Sequence, residues 1–263
     1  MKKLLIIFSL ALAALAFVSC GSDKDDEPNY PNKTMMAGDT YTIPGKKATW
    51  TSDNQLIASV SGNTVTAQRV GETTIRSGSN SFRVTVNGKY NTYREPCLQW
   101  GASKSTVKNF MSGYTMDSDQ NNFLIYYGKS PVTFIVYSFK NSSLILSSLV
   151  IPIGAVSMNE LIAFMAERYI YVTQDEANNY FGFITTDKKT IVYLQIETIN
   201  SQLVYFISYA AASSSNSAPA RHLKMPKKLS TSQDENRAEI NSIMPRLHDA
   251  MTEMRPEQNI IDG

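Results

Sequence analysis

The sequence predicts an all-β module followed by an α+β module, and three observations predict it. Residues 34–87 are crowded with Thr, Val, Gly, Ser and Asn in short alternating stretches between turn residues, as strands joined by tight connections require. From Leu98 to Ala211 the apolar spacing becomes helical and then strand-like, and that succession occurs twice. Ahead of both lies a positive start and an apolar run of the secretory type, so the folded part is expected to begin well inside the chain.

The leading segment has Lys2 and Lys3 followed by fifteen apolar or small residues, Leu4 to Val18. As a helix these would span about 22 Å, short of the roughly 30 Å hydrocarbon core of a bilayer, so removal is favoured over a permanent span. The stretch Phe17-Val18-Ser19-Cys20 resembles the lipobox of bacterial lipoproteins, with Phe17 where Leu is usual. The resemblance implies a signal peptide over residues 1–19, cut before Cys20, which then carries several acyl chains, palmitate among them. One chain holds a protein only marginally; each further buried methylene adds about 0.8 kcal/mol, so two or three anchor it. The alternative is a plain secretory signal with an incidental cysteine.

Ser22, Asp23, Lys24, Asp25, Asp26 and Glu27 follow the cysteine. This run resembles the export signal of Bacteroidota-type lipoproteins, which implies an outer-membrane, cell-surface location. It also suits a solvated tether over residues 20–33, since like charges repel and keep a chain open. A calcium loop is excluded, because alternating oxygen ligands and a turn glycine are missing.

The 263 residues suffice for two modest domains and a tail. With 25 basic and 23 acidic residues the formal charge is +2, and loss of Lys2 and Lys3 leaves the chain near neutrality, so no nucleic-acid partner is expected. Of the two cysteines, Cys97 has no partner if Cys20 is lipidated, which excludes an internal disulfide and thiolate zinc; Cys97 is expected as a buried small hydrophobe. Both histidines, His222 and His248, lie in the tail, outside any segment that could hold a ring rigidly, so Ser-His or Cys-His hydrolysis is not expected. No catalytic residue, metal or cofactor is expected. Glu160, Glu167, Asp175 and Glu176 leave a carboxylate glycan hydrolase as an alternative, against capping or solvated roles.

Within the first module, residues 34–88, Phe82, Val84 and Val86 alternate with polar neighbours, and Gly62-Asn63 marks a tight hairpin between Ala58–Val60 and Val65–Ala67. Trp50-Thr51-Ser52-Asp53, Ile57-Ala58-Ser59-Val60, Gly62, Val65-Thr66-Ala67, Gly71-Glu72-Thr73-Thr74-Ile75 and Val84-Thr85-Val86 occur in order. In this the segment resembles the bacterial immunoglobulin-like domain of group 2. The resemblance implies an immunoglobulin-like β-sandwich used for spacing, adhesion, or carbohydrate or protein contact. Only eleven residues separate Gly38 from Trp50, fewer than the family normally has, so a shortened first strand pair is expected. Trp50 is expected in the sandwich core.

The second module, residues 89–211, is expected to be a doubled αβββ unit. A helix over Ser103–Ser112 carries Val107, Phe110, Met111 and Tyr114 on one face, followed by strands Asn122–Tyr127, Val132–Phe139 and Leu144–Ile151. Ser157 and Glu160 form a capping box opening a second helix with Leu161, Phe164, Met165 and Tyr169, then strands Tyr180–Thr185, Thr190–Thr198 and Leu203–Tyr209. Phe110-Met111 repeats as Phe164-Met165, 54 positions on, and Asn141-Ser142-Ser143-Leu144 as Asn200-Ser201-Gln202-Leu203, 59 positions on; the difference falls in the QDEAN loop. One six-stranded antiparallel sheet with both helices on one face follows. Alternation must then turn some aromatic side chains to the uncovered face, and Tyr126, Tyr137, Tyr193 and Tyr205 are the candidate binding residues for a glycan or protein. The alternative is that this face packs on the first module or the tail. Pro96, Trp100-Gly101 and Ser103-Lys104-Ser105 make the module similar to the tandem-repeat fold of beta-lactamase-inhibitor-like envelope proteins, which are binders, and to surface lipoproteins that pair it with an immunoglobulin-like domain. No binding residue is carried over from that likeness.

Residues 212–263 are expected as a flexible linker and a helical tail. AASSSNSAPA is linker-like, Arg221, Lys224, Lys227 and Lys228 form a solvated basic patch, and Ser232–Glu235 is a capping box. Ile240, Ile243, Met244, Leu247, Met251 and Met254 form an apolar stripe interrupted by Pro245, a kinked helix pair for the sheet or a partner. The whole suggests a non-enzymatic lipoprotein of the outer membrane and cell surface, held by its lipid and acting as an adhesion or ligand-binding module. An envelope assembly component, and then the glycan hydrolase, are the alternatives.

Overall fold

A computed structural model of the chain describes residues 30–45, 48–175, 180–199 and 202–212. The signal segment, Cys20, the acidic tether, Glu176, the Asn200-Ser201 turn, both histidines, the basic patch and the tail stripe lie outside the described residues. So does the side chain of Asp175. The structure is β-rich, with two short helices.

The first module is two sheets face to face. One has the order β1 (Lys33–Met36), β7 (Asn80–Asn87), β6 (Gly71–Ser77), β3 (Thr51–Ser52), with β1 parallel to β7 and the other pairs antiparallel. The other has β2 (Thr40–Thr42), β5 (Thr64–Ala67), β4 (Ala58–Ser61). Their inner faces share a core of Trp50, Ile57, Val65, Ile75, Phe82 and Val84. Trp50 sits edge-on against Phe82 at 5.8 Å and Tyr30 at 4.9 Å, a buried plug as expected. The Gly62-Asn63 hairpin joins β4 to β5 in two residues, and Gly62 supplies the left-handed φ of 57° that such a turn demands.

The second module is one antiparallel sheet of eight strands, ordered β12 (Tyr169–Asp175), β13 (Tyr180–Thr185), β14 (Thr190–Ile199), β15 (Gln202–Ala211), β11 (Ser143–Pro152), β10 (Phe134–Lys140), β9 (Phe123–Tyr127), β8 (Met116–Gln120). Helix α1 (Lys104–Phe110) precedes β8 and α2 (Met158–Ala166) precedes β12. Each helix is therefore followed by four strands, not the expected three, and the sheet has eight strands, not six. Both extra strands are edges. β8 reads MDSDQ, whose charges hide any apolar alternation, while Tyr169 at the head of β12 continues the helical spacing of α2 in sequence although the chain has already turned into a strand. The two four-stranded halves meet at the β11–β15 pair.

Both helices start as their caps predict. Ser103 accepts from the Thr106 N–H at 3.3 Å, and Ser157 accepts from the Glu160 N–H at 3.2 Å. Val107, Met111, Leu161, Phe164 and Met165 then share one core with Leu124, Ile135, Leu149, Leu194 and Ile207 of the sheet. Residues 89–102 do not form a free linker. They enter the same core: Tyr93 and Cys97 are buried, the Cys97 N–H donates to the Tyr137 hydroxyl oxygen at 3.2 Å, Ser147 Oγ donates to the Cys97 carbonyl at 2.6 Å, and the Trp100 indole N–H donates to Thr190 Oγ1 at 3.0 Å.

The modules are joined by more than the chain. The Val70 N–H donates to the Glu167 carbonyl at 2.7 Å, and the Tyr90 N–H to Glu167 Oε2 at 3.1 Å. Arg168 donates to the Tyr90 carbonyl at 2.9 Å and lies over the Phe164 ring at 3.7 Å, while Arg69 Nε donates to the Tyr169 carbonyl at 3.4 Å. Burial lowers the Arg69 guanidinium from its ordinary value. Gly88 allows the close approach: a Cβ there would lie 2.9 Å from both the Arg168 guanidinium and Glu167 Oε2. A junction whose polar groups are half-buried and paired on both sides resists hinge motion.

Candidate functional site

Alternation along each strand gives the eight-stranded sheet two faces, and the helices cover the one bearing Leu124, Tyr126, Ile135, Tyr137, Leu194, Tyr205 and Tyr209. This corrects the expected aromatic binding surface. Tyr126, Tyr137 and Tyr205 are 2%, 0% and 2% exposed, core residues under the helices rather than contact residues. Period-two spacing separates the faces but does not say which one the helices choose. Burial raises the Tyr137 and Tyr126 phenols above their usual value, so both stay neutral.

Tyr193 is the expected binding residue that falls on the opposite face. It is half-buried and meets Tyr180, its diagonal neighbour from β13, edge-on at 5.2 Å. Burial, then the nearby Tyr180, push the Tyr193 phenol up to about 12. Beside them Gly182 leaves the sheet surface low, because a Cβ there would press on Thr173 at 2.9 Å. At the other flank of the same face, Tyr127 is 45% exposed and its ring lies 5.4 Å from that of Phe134. Two aromatic pairs thus flank the face that the helices leave open.

Two of the carboxylates weighed as hydrolytic, Glu160 and Glu167, are tied into structure. Glu160 Oε1 accepts from the Thr92 hydroxyl at 3.2 Å, and Glu167 holds the junction described above. Cys97 is buried and unpaired among the described residues, as expected of a small hydrophobe. Among the described residues no group of three or more His, Cys, Asp or Glu side chains is placed to hold a metal, and no helix is long and apolar enough to cross a membrane.

Sequence reasoning missed a polar cluster inside the helix-covered core. Tyr93 and Tyr209 share a hydroxyl contact of 2.8 Å, Tyr209 and Tyr169 one of 3.2 Å, and the Tyr169 hydroxyl donates to Glu95. Burial holds all three phenols well above their usual value. The signal available was Thr92, Tyr93 and Glu95 clustered just before Pro96, which a solvated linker does not need. No family model matches the chain, and no curated protein or solved structure matches it either.

Proposed function

We propose that this chain is a non-enzymatic protein of the bacterial cell surface, lipid-anchored at Cys20, that works by contact with a glycan or a protein. The Ser19-Cys20 context and the acidic run behind it support the anchor and the outer-membrane placement. The ordered motifs from Trp50 to Val86 support an immunoglobulin-like spacer, and the mirrored strand order supports a doubled helix-plus-strands unit with a fourth strand in each copy. A rigid junction suits such a protein, since it carries the distal module away from the lipid without folding back.

The observation that carries the contact reading is the Tyr180–Tyr193 pair, a half-exposed aromatic edge on the sheet face away from both helices. A phenol fixed by its neighbour loses little rotamer freedom on binding and offers an apolar ring with a polar tip, which suits the face of a sugar ring or a mixed protein surface. The test is an array of host and dietary glycans and proteins probed with the purified chain and with Tyr193→Ala. The expected result is a ligand whose binding falls at least tenfold in the variant. Saturable chemical turnover of an array component by the wild-type chain would contradict the proposal.

A further inference from the structure

Three separate segments of the second module meet at one corner on the helix side of the sheet, and each is fixed independently. Arg94 belongs to the link between the modules, where its neighbours are held inward: Tyr93 meets Tyr209 at 2.8 Å, Glu95 accepts from Tyr169, and the Cys97 N–H donates to Tyr137 at 3.2 Å. Tyr114 follows α1, where Gly113 turns the chain with a left-handed φ of 84° and the Tyr114 N–H donates to the Met111 carbonyl at 3.0 Å. Lys129 stands on the turn from β9 to β10, which the Val132 N–H closes on the Lys129 carbonyl at 2.9 Å. Gly128 is required there, since a Cβ would lie 2.4 Å from the Val132 carbonyl oxygen.

The three meet at the Tyr114 ring. Lys129 Nζ lies 4.8 Å from its centroid and the Arg94 guanidinium 5.9 Å, both inside the roughly 6 Å range of cation–π attraction, while Phe110 supports the same guanidinium at 4.4 Å. Among the described residues no other ring is approached by two cations. Neither cation has a carboxylate within ion-pair distance there. Arg168, which stacks on Phe164 in a similar way, does have one, Glu167 at 3.6 Å. The acids near this corner are engaged elsewhere: Asp119 by Lys104 and Lys108, Asp117 by the Tyr127 hydroxyl, Glu95 by Tyr169. Both cations are exposed, so the five N–H donors of Arg94 and the three of Lys129 face water unspent.

We propose that this corner binds an acidic polysaccharide, with Arg94 and Lys129 together taking a uronate carboxylate or a sulfate ester. The guanidinium, held over Phe110, presents paired N–H donors that match two oxygens of either anion, and Lys129 adds a point charge across the Tyr114 ring. Phe110 and Tyr114 are half-buried, packed on the core from one side, and their remaining edges suit the C–H face of a sugar. Exposed Ser112, Thr115 and Ser130 adjoin these residues in the chain, and hydroxyls beside ring edges favour a sugar over an acidic peptide. The site is separate from the Tyr180–Tyr193 pair, which lies on the opposite face of the sheet.

The test titrates the purified chain against polygalacturonate, dextran sulfate, uncharged dextran, polyglutamate and phosphatidylglycerol vesicles at about 0.15 M salt, where a Debye length of about 8 Å screens long-range attraction. The expected result is binding of polygalacturonate or dextran sulfate, whichever binds naming the anion, and none of uncharged dextran. Affinity should fall roughly tenfold or more in both Arg94→Ala and Lys129→Ala. Lys129 stands on an exposed turn, so its variant keeps the test decisive should Arg94→Ala loosen the link. Lys140→Glu, which reverses an exposed charge elsewhere on the module, should bind as the wild type does. Binding of neither acidic polysaccharide, binding that survives Lys129→Ala, or an equal loss in Lys140→Glu would overturn the proposal. Tighter binding of polyglutamate or of the vesicles would overturn it as well.

Discussion

The hydroxyls of Tyr93 and Tyr209, 116 residues apart in the chain, lie 2.8 Å from each other inside the helix-covered core. Tyr93 comes from the segment that links the modules and Tyr209 from a central strand, so the contact fastens the link to the sheet's middle. Tyr209 serves Tyr169 as well, and that phenol donates onward to Glu95. Tyr209→Phe should therefore leave two buried hydroxyls short of a partner and cost about 1–3 kcal/mol in chemical denaturation. Tyr126→Phe is the control. Its hydroxyl is buried without a hydrogen-bond partner among the described residues, so its loss should be neutral or stabilising.

Glu167→Ala should uncouple the modules. It removes the acceptor of the Tyr90 N–H and leaves the half-buried Arg168 without its carboxylate at 3.6 Å, a loss of about 1–3 kcal/mol, with two melting transitions expected by calorimetry in place of one. Glu167→Gln keeps an acceptor for Tyr90 and should cost less. Gly88→Ala should weaken the same junction through the 2.9 Å contacts of its added Cβ.

Glu197 gives a pH signature. Burial raises its folded-state pKa above the unfolded value, so the charged form opposes folding above the folded pKa, and that penalty fades as pH falls to the unfolded pKa. Glu197→Gln should raise the melting temperature around pH 7 and lose its advantage by about pH 4. A higher melting temperature at both pH values, or none at either, would assign the effect elsewhere.

Tyr193 should report its own surroundings. In a spectrophotometric titration of wild type against Tyr193→Phe, the difference curve should have its midpoint near 12, above an exposed phenol. A midpoint near 10 would mean a solvated ring, not one packed on Tyr180.

Much of this fold was legible in the residues. The capping serines Ser103 and Ser157 mark both helix starts, Gly62-Asn63 marks its hairpin, and the strands containing Phe82 and Tyr193 alternate as they should. The edge strands were not legible, because an edge needs few apolar contacts and β8 is tied down instead by Lys104 and Lys108 to Asp119, at 2.7 and 2.6 Å. The candidate site was half legible. Sequence picked out tyrosines on strands, but the side on which α1 and α2 settle depends on packing of Val107, Met111, Leu161 and Phe164 against distant strands, which no local pattern encodes.

The central claim, a surface protein held by lipid and acting by contact, meets its most direct test in intact mass spectrometry of the mature N-terminus from envelope fractions. The account predicts that the chain begins at Cys20 and carries two or three acyl chains, with none on a Cys20→Ser variant. A mature chain whose cysteine is unmodified, or that begins elsewhere, would contradict it.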